Sequence, residues 1–189
     1  GLVVNNLISD QPRTGVPWIF LTRRVLESSH FAQAMGYVLN TPRAHSINFL
    51  IGYTAGEAVN LETSPVEEHI LWPENGCFVH TNHYLKSGKE FRDLKPLRDP
   101  YPSTYLRCRR AQKGMAALNG SVDVKGIRKI LSDHMDRPFS VCAHENPAVP
   151  TLQQIVTCLS ITMNLSRQQI HYALGNPCRG EVQTLELGW

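Results

Sequence analysis

The sequence predicts an α+β fold in which antiparallel strands form layers with helices outside them. Three observations carry the prediction. Apolar residues recur with a period of two in some stretches and near 3.6 in others. Read in order, these stretches give one strand, two helices, four strands, two helices and four strands. Turn signals join successive strands as neighbours, and helices grouped apart from antiparallel strands define α+β.

Each element has its own reason. Leu2 to Val4 is a short apolar run bounded by Asn5 and Asn6, and reads as a buried strand. The stretch "SDQPRTGVP" is punctuated by Pro12, Gly15 and Pro17 and reads as a loop. In "WIFLTRRVLESS", Ile19, Arg23 and Leu26 fall at helical spacing with Leu21 and Val25. Ser29 is placed to cap a second helix, "HFAQAMGYVLN", whose apolar stripe is Phe31, Ala34, Met35 and Val38. Asn40 followed by Pro42 is a stop signal.

Strands follow. "SINFLIGY", the turn "TAGE" with Gly56, and "AVNLETS" make a hairpin; "EEHILWP", "ENG" and "CFVHTN" make another pair. The charged, Gly- and Pro-containing stretch "LKSGKEFRDLKPLRDPYP" reads as a surface loop. Ser103 opens the helix "TYLRCRRAQKGMAAL", and Asp123 stands at the N-terminus of "DVKGIRKILSDHM", where a carboxylate suits the helix dipole. The tail reads as four strands, "FSVCAH", "TLQQIVTCLSITMNL", "QQIHYALG" and "EVQTLEL". Residues 1–189 are expected to form one domain.

Bulk properties exclude several classes. A chain of 189 residues, 42% hydrophobic and 19% charged, can bury one sizeable core. Its longest apolar stretches are too short and too polar to span a bilayer, so no membrane partner is expected. The net charge of +3 is mild. Basic residues cluster only in "LRCRRAQKG", one solvated helix face without interleaved aromatics, so no nucleic-acid partner is expected. The five cysteines form no CxxC pair and are odd in number. That argues against a disulfide framework or a zinc ribbon and fits a reducing, cytoplasmic compartment.

The segment "FVHTNHYL" holds the most pointed question. His80 and His83 are three apart, which on a strand end puts them on opposite faces. One histidine is expected to pack and hydrogen-bond, the other to face water, with no metal between them and no cofactor. Ser64 sits in "ETSPV" without a GxSxG elbow, and both GxGxxG and GxxxxGK[ST] are absent. Cys142 lies near His144 in "PFSVCAHE", but neighbours in sequence make a dyad only if they converge in space; a buried structural thiol is expected. Asn82, between the histidines, has two readings. Asparagine is a common turn former. It can also aim an N–H at a developing oxyanion, where such a donor is worth ~3 kcal/mol.

Several segments in succession carry a resemblance: "RTGVP", "VLESS", "RAHSINFLIG", "GEAVNLETSP", "VHTNHYL", "RPFSVCAH" and "GNPCRGE". From Gly1 to about Glu186 the chain resembles the acyl-coenzyme A:isopenicillin N acyltransferase family of N-terminal-nucleophile enzymes, which also includes hydrolases of β-alanyl amines. The resemblance implies an αββα four-layer sandwich and a precursor that cleaves itself just before a cysteine. That cysteine then serves as nucleophile through its thiol and as base through its new α-amine. Asn82 maps onto the family's oxyanion-hole asparagine, and Ser46, Ser64, Ser140 and Asn5 onto residues that line or support the site.

Gly1 is not a cysteine, and none of the five cysteines stands at the nucleophile's place. "GLVVNNL" resembles a later strand of the mature subunit. The expectation is that these residues are the C-terminal major part of the nucleophile-bearing subunit. The partners implied are an N-terminal fragment of the same precursor and a small acyl amide or acyl-coenzyme A. The alternative is a non-catalytic binding or scaffold relative that has lost the nucleophile.

Overall fold

The first strands form where β-branched and aromatic side chains alternate with polar ones. In the structure, a computed structural model describing residues 1–98 and 102–188, they are β1 (Leu2–Asn6), β2 (Ile47–Gly52), β3 (Ala58–Thr63) and β4 (Glu68–Leu71). All neighbours are antiparallel, in the order β1-β2-β3-β4. The chain divides into two compact units, Gly1–Pro102 and Ser103–Trp189, and this sheet belongs to the first. The register pairs Val4 with Phe49 and Phe49 with Leu61, so one face is apolar. On that face Ile47, Phe49, Ile51, Val59 and Leu61 pack with Leu21 and Val25 of α1 (Trp18–Leu26) and Ala34 and Val38 of α2 (Phe31–Leu39). Burying each of the larger of these side chains stabilises by about 1.5–3 kcal/mol.

The helices depart from expectation in two details. Ile19 and Leu26 are exposed, and Leu21 and Val25 carry the buried stripe of α1. Ser29 does not cap α2; the N-cap is His30, without a side-chain cap bond, and the Gln33 side chain accepts from the Ser29 backbone N–H just before it at 3.0 Å. Asn40 closes the helix as the sequence suggests. Just beyond it, Arg43 is buried and donates to the carbonyls of Val38 and Leu39 at the helix end, to Ser64 O, and to Glu68. Its five donors satisfy orphan carbonyls that a lysine could not reach together. The loop containing Gly15 crosses so close that a Cβ there would lie 2.6 Å from the Arg43 carbonyl carbon, which requires glycine.

The opposite face of the sheet is polar yet buried. Register places Asn5, Asn48, Glu62 and His69 in one row across the four strands. Asn48 and Glu62 are 0% exposed, so the polar alternation of β3 marks a covered face rather than a wet one.

The strand expected over residues 77–82 does not form. Asn75 and Gly76, both at positive φ (53° and 71°), make a tight turn closed by a bridge between Glu74 and Cys77. β4 has already ended at Leu71, and Pro73 offers no backbone N–H to extend a ladder. The following segment is held by side chains instead. The expected loop after it contains a single turn of helix, α3 (Lys95–Arg98); its residues 99–101 lie outside the described residues.

In the second unit, α4 (Ser103–Ala117) and α5 (Val124–Leu131) accompany an antiparallel sheet of β5 (Leu159–Asn164), β6 (Gln169–Leu174) and β7 (Gln183–Glu186). Asp123 caps α5 by accepting from Gly126 N at 2.6 Å. The basic cluster of α4 is not wholly solvated, because Arg110 forms a two-pronged pair with Asp133. "FSVCAH" is a series of bends rather than a strand, since its side chains turn inward to partners described below. "TLQQIV" begins with a 3₁₀ turn at Thr151–Gln153 and only its continuation is a strand. The fold is α+β, two antiparallel sheets with accompanying helices. Among the described residues no helix is long and apolar enough to cross a membrane.

Candidate functional site

Glu62 anchors the segment that carries Asn82. Its carboxylate, wholly buried, accepts from His80 Nε2 at 2.9 Å and from the backbone N–H groups of Leu85 and Lys86. A carboxylate offers only lone pairs, so the His80 ring nitrogen facing it carries the proton. The other ring nitrogen of His80 lies 3.1 Å from Asn5 Oδ1, and Asn5 in turn accepts from Asn48. Both histidines of "HTNH" are therefore buried, where one had been expected to face water: the His80 side chain is 1% exposed and His83 is 7% exposed. The reason is tertiary. Without a strand ladder, residues 78–86 are pinned by buried side-chain bonds, including Tyr84, whose hydroxyl donates to Thr63 O at 2.9 Å. Burial pushes that phenol well above its ordinary range.

Asn82, half-buried, sits at the turn of this pinned segment. Its Nδ2 donates to the carbonyl of Asn6, the last residue of β1, at 3.2 Å. That bond fixes the plane of the amide against a strand end. Asn6 also lines a cleft of about 480 Å³ whose walls include Leu7, Ser9, His45, Ser46 and Pro65. Ser46 is on that wall and its hydroxyl donates to Ser9 Oγ at 2.8 Å. Ser64 is buried beside the cleft residue Pro65, but its hydroxyl is occupied in the β3–β4 turn. It donates to Glu67 O and accepts from the N–H groups of Val66 and Glu67. So Asn82 bonds the last residue of β1, Asn5 bonds His80 and Asn48, and Ser46 lines the cleft with Ser9, while Ser64 holds the adjoining turn.

The loop after Asn82 is tied back by Glu67, whose carboxylate accepts from the backbone N–H groups of Lys89 (2.8 Å) and Glu90 (3.0 Å). These bonds hold the Glu67 carboxyl below the usual carboxylate range, the Glu90 N–H contributing most. A depressed folded-state pKa contributes stability that is present above the unfolded value, near 4.3, and lost as pH falls through the lower folded value. Amide exchange at Lys89 and Glu90 is therefore expected to accelerate below about pH 4. In Glu67→Gln that acid-dependent step should disappear, which exchange measured against pH would show.

Ser140 and the remaining cysteines and histidines of interest lie in the second unit. Ser140 donates to the carbonyl of Cys142 at 2.7 Å and so shapes a turn. Cys142 and His144 do converge, with Cys178 and His134 joining them. The sequence hint was only Cys-x-His, and its two distant partners could not be found by spacing. Cys77 in the first unit is no activated nucleophile, because burial pushes its thiol up and away from the thiolate. The Glu62–His80 pair is likewise missing from a reading of spacing, since 18 residues separate its members.

Comparison with known proteins matches the sequence of this chain to a family. The family described as acyl-coenzyme A:6-aminopenicillanic acid acyl-transferase matches over residues 1–178. A curated relative is the acyl-coenzyme A:6-aminopenicillanic-acid-acyltransferase 40 kDa form of Emericella nidulans. It is 28% identical over 131 residues, 68% of this chain and 35% of that protein. The chain thus spans about a third of the length of that relative. With a match across nearly all of its residues, the chain belongs to the acyl-coenzyme A:6-aminopenicillanic acid acyl-transferase family.

Proposed function

We infer that this chain supplies the oxyanion-stabilising side of an amide-bond hydrolase or acyltransferase of the N-terminal-cysteine type, built as an αββα sandwich. The observation that carries the reading is the Asn82 amide, fixed by Asn6 at the end of β1 beside a cleft. A donor held by a buried carboxylate–histidine anchor needs little reorganisation when charge develops. Asn5 and Ser46 support that end of the cleft, Ser64 its turn, and Ser140 a turn of the second unit.

The nucleophile is a cysteine from polypeptide preceding Gly1, exposed when the precursor cleaves itself, so that two chains of one precursor make the enzyme. Its α-amine, with a pKa near 8, takes the thiol proton. The sulfur then attacks the carbonyl carbon of a small acyl amide or an acyl-coenzyme A, forming a C–S bond while the carbonyl oxygen becomes the oxyanion that Asn82 faces. Collapse breaks the bond to the leaving amine or thiol, which takes up the proton. Water or an acceptor amine then attacks the thioester, giving hydrolysis or transfer. A thiol nucleophile and five cysteines outside any disulfide suit a reducing cytoplasm.

The test uses the product of the complete reading frame. Treated with an electrophilic acyl analogue, it should yield a processed chain whose N-terminal cysteine alone carries the adduct by intact mass. A single unprocessed chain with no adduct would overturn this reading in favour of a binding or scaffold relative.

A further inference from the structure

The second unit gathers four metal-ligating side chains that the chemistry above does not use. His134 follows α5, Cys142 and His144 flank Ala143 in the turn begun by Ser140, and Cys178 lies in the turn after β6. Their ligand atoms all lie within 4.8 Å of one another. His144 Nε2 is 3.0 Å from His134 Nε2, 3.4 Å from Cys142 Sγ and 3.4 Å from Cys178 Sγ. The two sulfurs are 3.7 Å apart.

Those edges describe a particular object. A tetrahedral zinc ion has Zn–S near ~2.3 Å and Zn–N near ~2.0–2.1 Å, giving S···S, S···N and N···N edges of roughly 3.8, 3.6 and 3.3 Å. The three edges at His144 and the S···S edge agree to within about 0.3 Å of that tetrahedron, while the His134–sulfur edges lie within 4.8 Å, so the exposed His134 ring closes the figure by moving inward. A disulfide would need its sulfurs at about 2.05 Å. Without a cation, the four groups present one another mainly with lone pairs and weak S–H donors.

A neighbouring amide braces the ligand turn. Asn176 Nδ2 approaches Cys142 Sγ at 3.6 Å while donating to Ala143 O at 2.6 Å. N–H groups aimed at sulfur and hydrogen bonds that hold the ligand turn are what orients a metal's ligands. Cys142 and His144 are buried, Cys178 is half-buried, and His134 is exposed. A cleft of about 560 Å³ lined in part by His134 and Cys178 gives an ion access from solvent.

The second unit also needs a staple. Among its described residues the buried apolar side chains are Cys108, Cys142, Ala173 and Pro177, whereas Leu152, Ile155 and Leu174 are exposed. Small units with so little core use metals or disulfides to hold their loops.

We propose that His134, Cys142, His144 and Cys178 bind one zinc ion in a closed structural site that ties residues 134–144 to the turn after β6. On binding, two S–H bonds break, their protons pass to solvent, and two Zn–S and two Zn–N bonds form with no change of oxidation state. Four protein ligands leave no position for water, so the ion holds structure rather than reacting. This departs from the sequence expectation of no metal.

The test is metal content and ligand type in the purified protein. Elemental analysis should find about one zinc per chain, released by thiol-blocking mercurials. The cobalt-substituted protein should show tetrahedral d–d absorption with thiolate-to-cobalt charge transfer. His134→Gln, at an exposed position that tolerates change, should weaken zinc binding beyond the about 10–100-fold that outer-shell changes cost. Cys77→Ser and Cys158→Ser should leave it unchanged. Protein that takes up neither zinc nor cobalt, or that carries a Cys142–Cys178 disulfide when purified without oxygen, would overturn the proposal. So would uptake unaltered in both His134→Gln and Cys178→Ser. None of these outcomes bears on Asn82, which shares no ligand with this cluster.

Discussion

As the proposed oxyanion donor, Asn82 should be worth about 10²–10³-fold in kcat, the loss expected of Asn82→Ala in the product of the complete reading frame. The magnitude separates catalysis from structure. The structure shows Asn82 bonded to Asn6 O, and losing one such bond costs about 0.5–1.5 kcal/mol of stability. A donor aimed at the oxyanion is worth about 2.7–4 kcal/mol of barrier, and only in the transition state. KM should therefore move little, circular dichroism should be unchanged, and nearly all the loss should appear in kcat. Asn82→Asp should be at least as damaging, since it replaces a donor by a negative charge facing a developing one. Steady-state kinetics reads this directly; an Asn82→Ala protein with kcat within a factor of about two would remove the residue from the site.

The second large effect falls on Glu62. Glu62→Ala deletes a buried carboxylate that receives His80 and two backbone N–H groups, leaving three donors without a partner and a void beneath them. Unpaired buried donors cost about 1–3 kcal/mol each, and removing one partner from a buried hydrogen-bonded network falls at the upper end of single-substitution effects. A loss of about 3–5 kcal/mol is expected, a large share of the stability of a small unit. Glu62→Gln keeps the volume but turns an NH₂ toward one of the donors, and should cost about 1–3 kcal/mol. Urea unfolding at constant slope measures both. The consequence reaches function, because Glu62 pins the segment on either side of Asn82. Glu62→Gln should reduce kcat although Asn82 itself is intact, and a double-mutant cycle with Asn82→Ala should show strong coupling. Independent, additive effects would mean that the anchor does not position the amide.

Local patterning was enough for the elements whose partners are near in sequence. The stripe Phe31, Ala34, Met35 and Val38 declares α2, the alternation of Ile47, Phe49 and Ile51 declares β2, and Asp123 announces the start of α5. It failed where distant contacts outvote local preference. Residues 77–82 have strand-like composition, yet they follow Pro73 and are claimed through His80 by Glu62 of β3 and Asn5 of β1. "FSVCAH" reads as a strand, but its thiol and imidazole turn toward Cys178 and His134. Ser29 is no cap because the helix starts one residue later, with His30 extended at the N-cap, and Gln33 takes up the Ser29 N–H.

By itself the sequence determined an α+β chain with its helices and hairpins, the family motifs, and the singling out of Asn82 among ordinary polar residues. Periodicity and motif spacing are local quantities, and one chain carries them whether or not it is folded. Only the tertiary structure decided that Glu62 is a buried anchor rather than a wet strand residue, and that the Asn82 amide is held by Asn6. It alone decided that a cysteine at 142 meets one at 178. Those facts depend on which faces of distant strands and turns come together, and closing loops of that length leaves no periodic trace in the residues they join.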